Sequence, residues 1–380
     1  MTRDYRLVSL ALLLWGLGEG LFLMFEPLYL AQLGANAVEI GAILGAAGAV
    51  LTATHIPAGY IADRWGSKQV LIAAWLLGAS ATTAMFFAPN LLWYTVGLMA
   101  YTVTAFVIAP LNSYLTASRG SLSMERALTL SSVLYNVGAV LSPLLGGVLG
   151  ARLGLRAVYG ISAGIFWLSA VLVLLLRPMP VHGSDGHSRY RPLLVNRHFL
   201  TLVGLAAFAM FAMYLAFPLT PNYLRQAHGL TLPQIGVLGS LMTVGAILAN
   251  SLLGRRAPRR GFLLAQAMVG LHAILLWRGT GLIWFQVAYL LRGWQSAARS
   301  LTNAQIGRVV GPAQVGLAYG VAETAMGIAL MLAPPLAGLL FARDPALPFP
   351  VSAGLVIVSL LLAWRFAPRA AATGPEAVAE

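Results

Sequence analysis

Cysteine is absent from the 380 residues, which rules out disulfides, thiol nucleophiles and metal sites built on thiolates. Charge is nearly as scarce: acidic and basic residues together make up 9% of the chain, while 59% is hydrophobic. A soluble domain cannot cover its surface with so little charge. No phosphate-cradling GxxxxGK(S/T) loop and no HExxH pair occurs, so ATP-driven transport and metalloprotease chemistry find no support. The six histidines, among them His55, His182, His187 and His272, form no i, i+4 pair with further ligands, so no metal site and no other cofactor is expected. The formal charge of +13 would suggest nucleic acid in a soluble protein. Here the basic residues stand singly or in small groups between apolar runs, which marks topology, and no nucleic-acid partner is expected.

What the chain does have is apolar runs long enough to cross about 30 Å of hydrocarbon. Windows between polar and Gly/Pro breaks place spans near 7–33, 38–62, 69–88, 91–117, 125–151 and 155–177. A second set lies near 198–226, 232–254, 261–279, 281–305, 314–341 and 347–367. The expected organisation is an N-terminal six-helix bundle over 1–177, a solvated cytoplasmic linker over 178–196, a C-terminal six-helix bundle over 197–368 and a disordered tail over 369–380. Arg3 and Arg6 precede an apolar run without a small-residue cleavage site, so that run is read as a retained first span. With the N-terminus inside, cytoplasmic segments hold 17 of the 24 basic residues and outer loops five, Arg292 and Arg299 lying within a span. Lys and Arg favour the cytoplasmic side, so this bias supports twelve spans with both termini inside.

The halves repeat one another. Pro27, Tyr29 and Gln32 match Pro221, Tyr223 and Gln226; Gly41, Gly59 and Gly66 precede Gly236, Gly254 and Gly261 by 195 positions. Asn112 and Pro143 precede Asn303 and Pro334 by 191. Such register points to parallel repeats about an axis along the membrane normal. Within this frame, Gly59, Ala62, Asp63, Arg64, Gly66 and Lys68 resemble the signature loop between spans two and three of the major facilitator superfamily, with Ser67 where the family has a basic residue. The resemblance implies an all-α polytopic membrane protein of two six-helix bundles working by alternating access. It also implies a cytoplasmic gate in which Asp63 latches onto the start of span eleven near Gln314. In span five, Gly138, Ser142, Pro143, Gly146 and Gly147 resemble the element of the drug/proton antiporter branch, with Ser142 in place of glycine. Small residues at four-residue spacing let another helix approach closely, and Pro143 favours a bend. The arginine that antiporters carry in span four is missing; Arg292 and Gln295 show that pattern in span ten, at the repeat position of Tyr101.

Ionisable groups in mid-membrane are expensive and usually face a cavity or a partner. Glu19 and Glu26, two helical turns apart in span one, are expected on one face and in the cavity. Arg292, Gln295, Arg299 and Asn303 form a polar stripe on span ten, and Glu323 lies in span eleven. Glu19 and Glu323 are the candidate proton carriers, because a carboxyl can gain and lose its proton where arginine cannot. Arg292 would be a fixed positive charge, paired with a glutamate or presented to an anionic substrate. Tyr101, Thr104, Asn112, Tyr135, Asn136 and Asn250 are further polar candidates, and Trp15, Phe22 and Trp294 supply aromatic surface. The functional expectation is a secondary-active, proton-coupled transporter, a monomer in the cytoplasmic membrane of a prokaryote, energised by the proton gradient and exporting an amphipathic or hydrophobic small molecule. Proton-linked uptake of a polar or anionic metabolite, lipid movement, and a non-transporting receptor or scaffold stay open as alternatives; no enzyme constellation is visible.

Overall fold

The computed structural model describes residues 1–178, 193, 195–254, 257–310 and 314–367, with the side chains of 55–65, 109 and 316 outside that description. Most of the 178–196 linker and all of the 369–380 tail therefore lie outside the described residues. Among those described there are sixteen α-helices and no strand. In the first half they are α1 (Arg3–Leu23), α2 (Glu26–Gln32), α3 (Ala37–Trp65), α4 (Ser67–Phe87), α5 (Leu91–Val103), α6 (Ile108–Ser118), α7 (Met124–Leu153) and α8 (Leu155–Leu174). In the second they are α9 (Arg197–Tyr214), α10 (Thr220–His228), α11 (Leu232–Leu253), α12 (Pro258–Arg278), α13 (Leu282–Arg292), α14 (Trp294–Val309), α15 (Val315–Arg343) and α16 (Pro348–Phe366).

Ten of these helices are long and apolar enough to cross a membrane, and α5 with α6 makes an eleventh, bent span. Helices α13 and α14, which meet at Gly293, stand where the twelfth span is expected, but Arg292, Gln295 and Arg299 dilute the apolar run there. Three expectations are corrected. Span one is not one helix: it breaks at Met24 and Phe25, and α2 restarts with a proline in its first turn. Span seven breaks likewise before α10, which also opens on a proline. The turn expected over Gly59 to Lys68 shrinks to Gly66 alone, because helix α3 continues to Trp65 and α4 begins at Ser67. Gly66 has φ +82°, a conformation that only glycine adopts without strain, so one residue suffices to reverse the chain.

Small residues decide how closely the helices pack, since lipid offers no hydrophobic drive between them. The four-residue ridge on α7 splits between two neighbours. A Cβ on Gly146 would lie 2.1 Å from the Leu21 carbonyl oxygen, and one on Gly138 2.5 Å from that of Leu13, so this face seats α1. Ser142 adds a hydrogen bond to the Gly16 carbonyl at 3.3 Å. One position on, a Cβ on Gly147 would lie 2.5 Å from the Leu232 carbonyl oxygen and one on Gly236 2.3 Å from that of Pro143, so the adjacent face seats α11 of the other half. Helix α7 runs unbroken through Pro143. The second seam between halves joins α3 to α15, with Gly41 against Pro334 and Gly327 against Thr52.

These seams lie in one half of the molecule's length, reaching mid-helix at Thr52 and Gly327. The largest apolar cluster combines residues of both halves there, among them Tyr29, Ile40, Leu219, Tyr223 and Phe341. Helices α2 and α10 pack on one another across the halves, and the Asn222 amide donates to the Pro27 carbonyl at 3.0 Å. At the opposite end the clusters are separate, one around Tyr5, Trp75 and Tyr114 and another around Phe199, Ile306 and Ala322. That divided end carries the N-terminus, where Asp4 accepts from the Arg177 backbone at 3.0 Å, and the basic residues assign it to the cytoplasm.

Candidate substrate cavity

Between the halves lies a cavity of two adjoining lobes, about 720 Å³ and about 460 Å³. Glu19, Leu23, Met24, Tyr135 and Phe217 line both. The larger lobe runs from Glu26 and Pro27, under the closed end, down to Asn112, Leu115 and Ser132 near the divided end. The cavity is thus roofed on the outside and reaches toward the cytoplasm.

Glu19 stands where the lobes meet, one turn before the break in span one. Its two carboxylate oxygens accept from the Tyr101 hydroxyl at 2.9 Å and the Tyr135 hydroxyl at 2.6 Å. Tyr101 is itself fixed by Trp15, stacked at 6.2 Å between centroids, and by the edge of Phe22 at 5.4 Å. A hydroxyl donates a stronger hydrogen bond to an ionised carboxylate than to a neutral acceptor. The Gly16 backbone lies against the Tyr135 carbonyl, which is what brings α7 close enough for its tyrosine to reach the carboxylate. Glu26, buried in the first turn of α2, lines the larger lobe. Glu19 and Glu26 thus reach one cavity, although the helix between them breaks.

The opposite wall carries the second half's charges. Arg292 is only 5% exposed and lies over the Phe217 ring at 4.3 Å and the Tyr214 ring at 5.8 Å, while its Nη1 donates to the Gln295 amide oxygen. The pairing of Arg292 with a glutamate, one of the two expected roles, is not what forms. The ion pair in the cavity is Arg299 with Glu323, to which the Asn303 amide also donates at 3.3 Å. The reason is position: Glu323 on α15 faces the α14 stripe two turns below Arg292, and Gly293 separates the two helices. Asn136 lines the smaller lobe but spends its amide on the Ser132 carbonyl of its own helix. Phe22 is buried in the core, and Thr104, in the wall of the larger lobe, spends its hydroxyl on the Tyr101 carbonyl. Asn250 bonds Ala246 and Ser296, and Trp294 packs on the second-half core.

Of the expected gate, Lys68 is half-buried, Gly66 makes the turn, and Gly59, Asp63 and Arg64 fall in the last two turns of α3. The side chains of these three lie outside the described residues, and with them the expected latch to Gln314. Among the cavity residues that escaped the sequence reading are Tyr214 and Phe217, the two rings under Arg292. Their only signal is an aromatic pair just before Pro218, at the break in span seven.

Comparisons with known proteins agree with this architecture. The family model described as Major Facilitator Superfamily matches residues 8–255 and 202–380. The chain is 30% identical over 250 residues to an uncharacterized MFS-type transporter of Mycobacterium tuberculosis, covering 61% of this chain, and it spans 58% of the length of that relative. It is 26% identical over 390 residues to the enterobactin exporter EntS of Citrobacter koseri, covering 94% of this chain and 90% of that protein. Among solved structures, a point mutant of the nucleoside transporter NupG superposes with a TM-score of 0.84 at 14% identity, over 96% of this chain and 99% of that one. A bacterial homolog of the human lysosomal transporter Spinster, inward-facing and occupied, superposes with a TM-score of 0.74 at 16% identity, over 96% and 98% of the two chains. Two helical halves around a roofed cavity, covered along their length by that family model, make the chain a member of the Major Facilitator Superfamily and a multi-pass membrane protein.

Proposed function

We propose that the protein is a proton-coupled exporter of an amphipathic small molecule, working by alternating access as a monomer in the cytoplasmic membrane of a prokaryote. The observation that carries this reading is Glu19, an ionisable group at the junction of both lobes with each carboxylate oxygen on a tyrosine hydroxyl. A carboxyl so placed can take a proton from one side and release it to the other as the halves rock, whereas an arginine keeps its charge throughout. The walls suit an amphipath, since Trp15, Leu23, Met24, Leu51 and Phe217 supply apolar surface between the polar groups. Export is supported by the alignment with an enterobactin exporter over 94% of the chain. The lipid reading needs lateral openings between α7 and α11 or α3 and α15, and in the outer part of both seams the backbones are close-packed.

The test uses sealed inverted vesicles and the amphipaths that stabilise the purified protein against heat. Glu19→Gln is expected to abolish accumulation driven by a pH gradient while leaving binding in place. Accumulation at the wild-type rate would remove Glu19 from coupling.

A further inference from the structure

Arg292 presents a charge that the protein leaves unanswered. Nine-tenths and more of it is buried, its Nε has no partner, and among the described residues the one ion pair, Arg299 with Glu323, lies elsewhere on the wall. The guanidinium lies over the Phe217 and Tyr214 rings, whose quadrupoles soften its desolvation. Its Nη1 is taken by Gln295, and Arg292 stands in the wall of the smaller lobe. Gln295 is held in turn by Met210, its amide 3.6 Å from the sulfur, so it orients the arginine without neutralising it. A buried cation with no counter-charge is costly, and one kept at a cavity wall is explained if its counter-charge arrives from outside. Arg299, half exposed at 51% and already paired, does not compete for that role.

We infer that the cargo is an organic anion whose carboxylate- or sulfonate-type oxyanion seats on the Arg292 edge in the smaller lobe. Its apolar body then lies against Phe217, Met24 and Leu51, residues common to the cavity's two lobes, which hold a drug-sized molecule. This rests on the export reading and adds to it a physical benefit. An anion carried outward moves with an inside-negative membrane potential, in the same sense as a proton entering.

The test is direct binding to the purified full chain by thermal shift, with four probes of one shape: naphthoate, naphthalenesulfonate, naphthamide and naphthylmethylammonium. The two anions are expected to bind wild type about tenfold or more tightly than the amide, the worth of a hydrogen bond to a charged group. Arg292→Gln is expected to erase that preference while naphthamide binds as before, which also reports that the variant is folded; Arg292→Lys is expected to retain part of it. Equal or better binding of the amide or the ammonium to wild type overturns the inference, as does an anion preference that survives Arg292→Gln or binding by none of the four. The two readings fail separately. Anion preference with unaltered flux in Glu19→Gln overturns the coupling alone, and coupled flux of neutral or cationic probes overturns the anion alone.

Discussion

Glu19 and its two tyrosines form a unit in which each hydroxyl has one partner and the carboxylate has two. If Tyr101 and Tyr135 act through the carboxylate, their effects must vanish when it is gone, because residues sharing one network are not additive. Tyr135→Phe is expected to lower proton-driven flux severalfold in wild type and to change it little in a Glu19→Gln background. A double-mutant cycle on initial rates reads this, and additive losses would assign Tyr135 a separate role. The residue scale is also where sequence reading was most uneven. Glu19, Arg292 and Glu323 were legible because charge inside an apolar run is conspicuous. Which carboxylate met which arginine was not legible, since Arg292 and Arg299 lie two turns apart on one face and only the placement of α15 chose between them. Tyr214 and Phe217 were missed because an aromatic in a membrane span looks the same whether it faces lipid, core or cavity.

At the scale of elements, α7 is the shared wall, with one glycine face on α1 and the next on α11. Replacing Gly146 by alanine places a methyl 2.1 Å from the Leu21 carbonyl, so α1 must move and Glu19 with it. Overpacking of this kind costs about 1–3 kcal/mol. Gly146→Ala is therefore expected to lower the melting temperature of the purified protein and to reduce flux. Gly164, where a Cβ meets nothing within 4 Å, is the control, and Gly164→Ala is expected to change neither. Equal behaviour of the two variants would show that the seam is not close-packed. The spacing of the glycines, prolines and serine made the ridge legible in sequence. The breaks at Met24 and before Thr220 were not, because their apolar residues continue the hydrophobic run without a polar signal.

For the whole molecule, the halves are joined at the outer end and divided at the cytoplasmic end, an inward-open arrangement. At the joined end the Asn222 amide to the Pro27 carbonyl is a side-chain hydrogen bond bridging the halves, beside apolar contacts that have no geometry to enforce. Losing such a bond costs about 1 kcal/mol, roughly fivefold in an equilibrium between inward- and outward-open forms. In a Leu219→Cys protein, Asn222→Ala is expected to speed labelling of the buried cysteine by an impermeant maleimide added from outside, by about that factor. The natural absence of cysteine leaves no background thiol. Unchanged labelling would show that this bond does not hold the roof.

The sequence by itself determined that the chain spans a membrane many times, which end faces the cytoplasm, that its halves repeat, and which few charges sit in mid-membrane. Each of these follows from a local cost, hydrocarbon length or the penalty on a buried charge, which any stretch of residues reveals alone. Only the tertiary structure decided that Tyr101 and Tyr135 meet on Glu19, that Glu323 pairs with Arg299 and leaves Arg292 free, and that the cavity is roofed on the outer side. Those outcomes depend on how helices distant in the chain pack their small residues together, and in lipid that packing is set by shape across the seam rather than by any pattern along one helix.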